Sequence, residues 1–235
     1  MPTVSEDSDL PRFVLDKKAP VTTQVHAHLR HLILQLHLKP GEAISEKDLS
    51  VKLGLSRTPV REAFIRLAQD GLVDIFPQRG TFVAPIRMSE VTEAHFIRRV
   101  LELAVVRRAA ETPDPATLAR IEESLRQQAA AQQVQDFNSF MDLDEGFHRL
   151  LSEGVALPRA WKVIQGVKGQ LDRLRYFILP EAGHSELIEQ EHRAIYEAIK
   201  AGDPARAAAE MRVHLAGIWA FIEQLMHEHP AFFHA

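Results

Sequence analysis

Cysteine is absent from the 235 residues, which excludes a disulfide framework, a thiolate metal site and a cysteine nucleophile. Also missing is any apolar run near the roughly 20 residues that a membrane helix needs. The opening MPTVSEDSDLPRF is acidic and has no apolar stretch of the kind a secretory leader carries, so a cytoplasmic protein is expected. An excess of positive charge, the usual advertisement of nucleic-acid binding, is lacking as well: 28 Lys and Arg stand against 32 Asp and Glu, a net charge of −4. No internal repeat is visible. What is present, 46% hydrophobic and 26% charged residues, is ordinary for a globular protein, and the length suits one large domain or two ordinary ones.

Positive charge is placed rather than abundant. Residues 1–85 hold 11 Lys and Arg against 10 Asp and Glu, but residues 57–66 hold three Arg against one Glu. Around them the pattern reads as a helix over about Val21 to His37, with Val25, Leu29, Ile33 and Leu36 at helical spacing, stopped by Lys39-Pro40-Gly41. A helix of about eight residues follows, N-capped by Ser45 with Asp48 three residues on and closed by Gly54. After a three-residue turn, Ser56 caps a helix of about fourteen residues, with Pro59 tolerated in its first turn and Gly71 ending it. Leu72 to Phe76 and Thr81 to Ala84 suit paired strands about the tight turn Pro77-Gln78-Arg79-Gly80. That order is a winged helix-turn-helix, a unit that grips duplex DNA.

The residue types fit that use. Arg57 and Arg61 are four apart and share one helix face, and arginine suits bidentate contact with guanine. Ser56, Thr58 and the first amides of the helix suit phosphate, while Arg66 lies further along and reaches backbone or solvent. At the wing tip Gly80 lets the backbone approach closely, and Arg79 is available to a minor groove. Val60, Phe64, Leu67 and Ala68 form the buried side. Moderate, salt-sensitive affinity is expected.

From Ser89 onward nearly everything reads as helix, in segments of about 89–111, 115–133, 136–153, 159–178, 185–201 and 204–228. Asp114-Pro115 and Asp203-Pro204 are N-cap and N1 pairs. The Ala/Gln-rich run 127–135 reads as an exposed helix end and loop. Short connections predict an antiparallel bundle. The fold class expected is mainly α, with a disordered tail over 1–18, the winged helix-turn-helix over 19–86 and an all-α antiparallel bundle over 87–230.

Three of the twelve histidines stand out. Asp144 and His148 fall on the apolar stripe of Phe140, Phe147 and Leu151. His192 falls on that of Ile188, Ile195 and Ile199, and His214 on that of Met211, Ile218, Ile222 and Leu225. One carboxylate and three imidazoles therefore face one interior. A buried carboxylate needs a cation or hydrogen-bond donors, so the pattern leaves open a divalent metal or an Asp–His hydrogen-bonded network.

PGEAISEKDLSVKLGLSRTPVREAFIRLAQDGLVDIFPQRGTFV resembles the winged helix-turn-helix of GntR-type transcriptional regulators, through its SRTPVREA core and PQRGTFV wing. The helical remainder resembles the FadR-type FCD effector domain, the whole covering about residues 20–228. The resemblance implies that Arg57 and Arg61 read bases, that Arg30 and Thr58 touch phosphate, and that Gly80 enters the minor groove. Phe64 departs from the alanine or leucine commoner there. The DxxxFH pattern from Asp144 to His148, EHRAIYEAIKAGD at His192 and MRVHL at His214 resemble the metal-binding subset of FCD domains. This implies that Asp144, His148, His192 and His214 hold a divalent metal with positions left for water or an effector carboxylate. N/O ligands suit Zn²⁺, Ni²⁺, Mn²⁺ or Fe²⁺.

A carboxylate effector also calls for a cation with a fork of donors. Arg98 matches the arginine before a Leu-Glu pair in that family's first effector helix, and Glu102, one turn on, could orient it. Arg173 and Arg175 are further candidates, and His184 an additional one. The expected function is a homodimeric, ligand-responsive repressor of a palindromic operator, controlled by a small organic acid at the metal. Competing readings are a regulator that senses the metal itself, a bundle with a purely structural polar network, and a metal-dependent hydrolase. For the last, three His and an Asp could activate water, but no general base or nucleophile motif accompanies them. A lipid-thioester effector is disfavoured by the polar ligand set.

Overall fold

A computed structural model describes residues 13–181 and 183–234, so most of the expected tail at 1–18 lies outside the described residues. The chain divides into two compact units. The first runs to Val91 and takes in Gly169–Arg173 and the stretch from Leu225 onward; the second holds Thr92–Lys168 and Leu174–Gln224.

In the first unit, α1 (Val21–Leu34) and α2 (Glu46–Leu53) pack on α3 (Arg57–Gln69). Ser45 accepts the Asp48 amide at 3.3 Å, and Gly54 closes α2 in the left-handed region at φ 65°, a conformation a Cβ would disfavour. Ser56 occupies the N-cap position of α3, yet its hydroxyl takes no amide of that helix. Val25, Leu29, Ile33, Val60, Phe64 and Leu67 are at most 1% exposed, so the facing stripes of α1 and α3 make the core. The strands β1 (Ala43–Ile44), β2 (Val73–Phe76) and β3 (Gly80–Val83) form an antiparallel sheet in the order β1-β3-β2, with Phe76 opposite Gly80. A parallel pair, β4 (Ile86–Arg87) with β5 (Phe233–His234), completes the unit.

The second unit is all helix: α4 (Met88–Glu111, from its Thr92), α5 (Pro115–Gln133), α6 (Phe137–Gly154), α7 (Pro158–Val167), α8 (Gly169–Ile178, from its Leu174), α9 (His184–Lys200), α10 (Pro204–Ala216) and α11 (Trp219–Glu228, to its Gln224). Asp114, Asp136 and Asp203 cap α5, α6 and α10 by accepting the amides of Thr117, Ser139 and Arg206, each worth about 1 kcal/mol. α5 packs on α6 and α9, and α9 on α10. Val106, Ile121, Phe147, Ile195 and Met211 are fully buried at their centre.

Three expectations change. The segment 159–178 is two helices that meet at Lys168, where ψ opens to 7°. Gly166 and Gly169 weaken the helix on either side, and Lys168 is drawn inward to a 2.7 Å ion pair with Glu145. The segment 204–228 breaks at Gly217, whose amide bonds back three residues to His214 instead of four. The run 127–135 is largely the last turns of α5, with Gln128 and Ala131 buried rather than solvated.

Candidate metal centre and nucleic-acid interface

Three helices of the second unit carry the cluster. α6 offers Asp144 and His148 from successive turns of its buried face, α9 offers His192 beside Ile195, and α10 offers His214 beside Met211 and Leu215. One ligand atom from each of the four residues can be chosen so that all lie within 4.8 Å of one another. His214 Nε2 stands 3.3 Å from Nε2 of both His192 and His148. Asp144 places Oδ1 3.6 Å from His192 Nε2. Asp144, His148 and His192 are at most 1% exposed.

The outer nitrogens decide what the inner ones present. His192 Nδ1 meets Gln128 Oε1 at 2.7 Å, His214 Nδ1 meets Glu191 Oε2 at 2.9 Å, and His148 Nδ1 is paired with the Glu102 carboxylate. All three partners accept, so each Nδ1 carries the proton and each Nε2 presents a lone pair; that of His148 is met by Arg98 Nη2 at 2.7 Å, while those of His192 and His214 face each other. Lone pairs facing one another at 3.3 Å repel unless a cation lies between them. Two imidazole nitrogens bound to one such ion at about 2.0–2.1 Å stand roughly 3.0–3.4 Å apart. The residues present therefore fit a divalent cation of borderline softness.

The charges agree with that chemistry. Burial pushes the Asp144 carboxyl upward, but Arg175, His148, His192 and Arg98 outweigh it and hold its pKa well below the usual range. Glu102 behaves alike: burial raises it, and Arg98 and His148 bring it down. Burial, reinforced by the neighbouring imidazoles, lowers His192 and His214 well below an ordinary histidine. Both are neutral at pH 7, the form that ligates a metal.

Two guanidinium groups border the cluster. Arg98 donates Nε to Glu102 at 2.5 Å and brings Nη2 to 2.7 Å from His148 Nε2. Arg175 pairs with Asp144 and, at 2.6 Å, with Glu145. Arg173 belongs to the first unit. It is fully buried in the first unit, where Nη1 donates to Ala84 O at 2.7 Å and to Gln170 at 3.1 Å. Burial there, with Arg87 nearby, lowers its pKa to about 10. His184 opens α9 with its ring edge-on to Phe221 at 4.8 Å, and burial lowers its pKa.

The second candidate surface lies on the first unit. Ser56, Arg57, Thr58, Arg61 and Arg66 are exposed on α3, and Arg79 and Gly80 are exposed at the wing. No partner for Arg57 or Arg61 occurs among the described residues. Arg66 reaches Thr23 Oγ1 at 3.5 Å, and Arg79 lies over the Phe76 ring, 5.4 Å from its centroid. Gln78 at φ 64° and Gly80 at φ 107° set the wing turn. Arg30, on α1, is half-buried and 3.6 Å from the Asp172 carboxylate.

Residues 21–83 match the bacterial regulatory proteins of the gntR family, and residues 93–217 match the FCD domain. The chain belongs to the GntR family, with an FCD domain. The HTH-type transcriptional repressor RspR of Escherichia coli K12 is 36% identical over 93% of this chain and 96% of its own length. A regulator from an unstable DNA locus of Streptomyces ambofaciens is 35% identical over 89% and 88%. The solved structure of E. coli McbR/YncC superposes with a TM-score of 0.74 at 25% identity, covering 88% of this chain and 98% of that one. A regulator from Rhodococcus sp. RHA1 gives 0.72 at 29%, covering 86% and 97%. This GntR-family protein is a DNA-binding transcriptional regulator, and its relatives are regulators rather than enzymes.

Sequence reasoning missed Gln128, Glu191, Glu145 and Lys168. Gln128 had a signal, since it continues the stripe of Ile121 and Leu125 at helical spacing. Lys168 and Glu145 had none, because their pairing depends on the break between α7 and α8.

Proposed function

We propose that the protein is a homodimeric, ligand-responsive repressor whose Asp144, His148, His192 and His214 hold a divalent metal that anchors a small organic acid. The observation that carries this reading is the convergence of three Nε2 atoms and one ionised carboxylate, with Arg98 and Arg175 beside them. The bound ion, Zn²⁺, Ni²⁺, Mn²⁺ or Fe²⁺, would supply a Lewis-acid anchor for a carboxylate oxygen. Arg98 would turn to the rest of that carboxylate the Nη donors of which one now meets His148, with Glu102 holding its Nε in place. Arg173, being held against Ala84, takes no part in this reading.

Arg57 and Arg61 read base edges, with Ser56, Thr58, Arg66 and Arg30 on phosphates and Arg79 and Gly80 at the minor groove. Arg30 would first leave Asp172. A palindromic operator follows from a two-fold dimer. Phe96 and Val100, exposed one turn apart on α4, supply an apolar face for a second copy to cover. No helix among the described residues is long and apolar enough to cross a membrane, in keeping with a cytoplasmic regulator. The acid acts by binding the DNA-competent and incompetent states unequally.

One observation favours a second reading. Four protein donors already complete a tetrahedral set, the arrangement of closed metal sites. The metal itself would then be the signal. A thermal-shift screen of small mono-, di- and sugar acids separates the two, run on metal-loaded and chelator-treated protein with fluorescence anisotropy on a selected operator. An acid that stabilises only the loaded protein and changes operator affinity supports the effector reading. Operator affinity that follows the metal and ignores every acid overturns it in favour of metal sensing.

A further inference from the structure

The three imidazoles of the cluster are held from outside by three different groups. Glu102 and Glu191 are carboxylates, whereas Gln128, on α5, is a neutral amide. Gln128 is fully buried, and its position is over-determined. Its Nε2 donates to Leu143 O at 3.3 Å and to Ser124 Oγ at 3.4 Å, one turn back on the same helix. With the NH₂ end committed to acceptors, the carbonyl end must face His192 Nδ1, and it does so at 2.7 Å. A carbonyl oxygen can only accept, so the proton of His192 is confined to Nδ1. The ring is also fixed in plane by stacking on Phe147, 4.1 Å between centroids at 15°.

We propose that Gln128 is a positioning residue: it locks His192 as the Nδ1–H tautomer and aims the Nε2 lone pair at the metal centre. The proposal rests on the metal-centre reading above. A ligating histidine whose outer N–H lacks its acceptor loses both tautomer and orientation, with a typical loss of 10–100-fold in metal affinity. The two carboxylate partners also draw their imidazoles toward greater basicity. His192 is therefore the weakest electron donor of the three, and a carboxylate at 128 would strengthen it.

The test combines a spectroscopic and a binding readout on the full chain. Long-range ¹H–¹⁵N correlation spectra of chelator-treated wild type are expected to show His192 with its proton on Nδ1. Zn²⁺ titration against a chromophoric competitor is expected to show about 10–100-fold weaker binding for Gln128→Leu. Gln128→Glu, which keeps an acceptor, should bind at least as tightly as wild type. A merely structural glutamine would lower the melting temperature of both variants and leave the tautomer and the Zn²⁺ affinity alone, and that result overturns the proposal. A wild-type spectrum with the His192 proton on Nε2 overturns it too, whether or not Gln128→Leu folds. If wild type shows the Nδ1 proton but binds neither Zn²⁺ nor any other divalent ion, the metal reading fails while the tautomer lock stands.

Discussion

The arginines of α3 and those of the effector bundle are the same residue put to opposite uses. Arg57 and Arg61 sit exposed on a helix whose N-cap serine keeps its hydroxyl off the helix amides. Arg98 is 4% exposed and spends its donors on Glu102 and His148; Arg175 spends its own on Asp144 and Glu145. An exposed guanidinium costs little to keep and contributes nothing to folding until a phosphate or base arrives. A buried one must be matched where it stands, because an unpaired charge in the interior is far costlier than an unpaired one in water. Substitutions should therefore separate cleanly: those on the DNA face change binding and leave stability alone, and those in the bundle change stability first.

The largest effect is expected from Glu102→Ala. It strips the acceptor from both Arg98 and His148 and should lower the free energy of unfolding by about 3–5 kcal/mol, read by urea denaturation. A change below 1 kcal/mol would mean that the triad is solvated and the contrast is wrong. Next comes the DNA face. Arg57→Ala or Arg61→Ala should cost about 1–3 kcal/mol of operator binding and relax base preference, with stability within about 0.5 kcal/mol of wild type. Unchanged anisotropy on a selected operator would remove these residues from base reading.

Proton linkage sharpens the comparison within the bundle. His192 and His214 have folded pKa values held well below 6.5, so below that pH the unfolded chain binds protons that the folded chain does not. Stability of chelator-treated protein should fall as pH drops through about 6.5, by roughly 1.4 kcal/mol per pH unit for each imidazole. A double substitution His192→Gln with His214→Gln should flatten that slope. The depressed Asp144 contributes in the same direction at lower pH, with stability present above about pH 4 and lost as pH falls toward its folded pKa. The smallest effect belongs to Arg66→Ala. Arg66 lies late on α3 and reaches Thr23, and its loss should reduce the salt slope of operator binding by at most about one.

The sequence carried what depends on local chemistry. Ser45, Gly54, Gly71 and the Pro77–Gly80 turn bound the helix-turn-helix and its wing, because caps and left-handed positions are satisfied within a few residues. Asp144, His148, His192 and His214 were legible as polar residues on apolar stripes. The rest is tertiary, or its local signal was outweighed. Nothing in one helix's spacing says that Arg175 pairs with Asp144 while Arg173 is taken up by the Ala84 carbonyl. The breaks at Lys168 and Gly217 had a local signal in Gly166, Gly169 and Gly217, but helical periodicity runs through both and outweighed it. Gln128 continues the Ile121 and Leu125 stripe, but the Ala/Gln-rich composition around it outweighed that signal.

The central claim is that the cluster is a metal centre. The most direct test is equilibrium dialysis of chelator-treated protein against Zn²⁺, Ni²⁺, Mn²⁺ and Fe²⁺, followed by elemental analysis, with a His192→Ala, His214→Ala variant in parallel. One tightly held metal per chain in wild type, and none in a variant that stays folded, is the predicted result. No bound metal in wild type, or the same metal content in both, would contradict it and leave Asp144 and the three histidines as a hydrogen-bonded network alone.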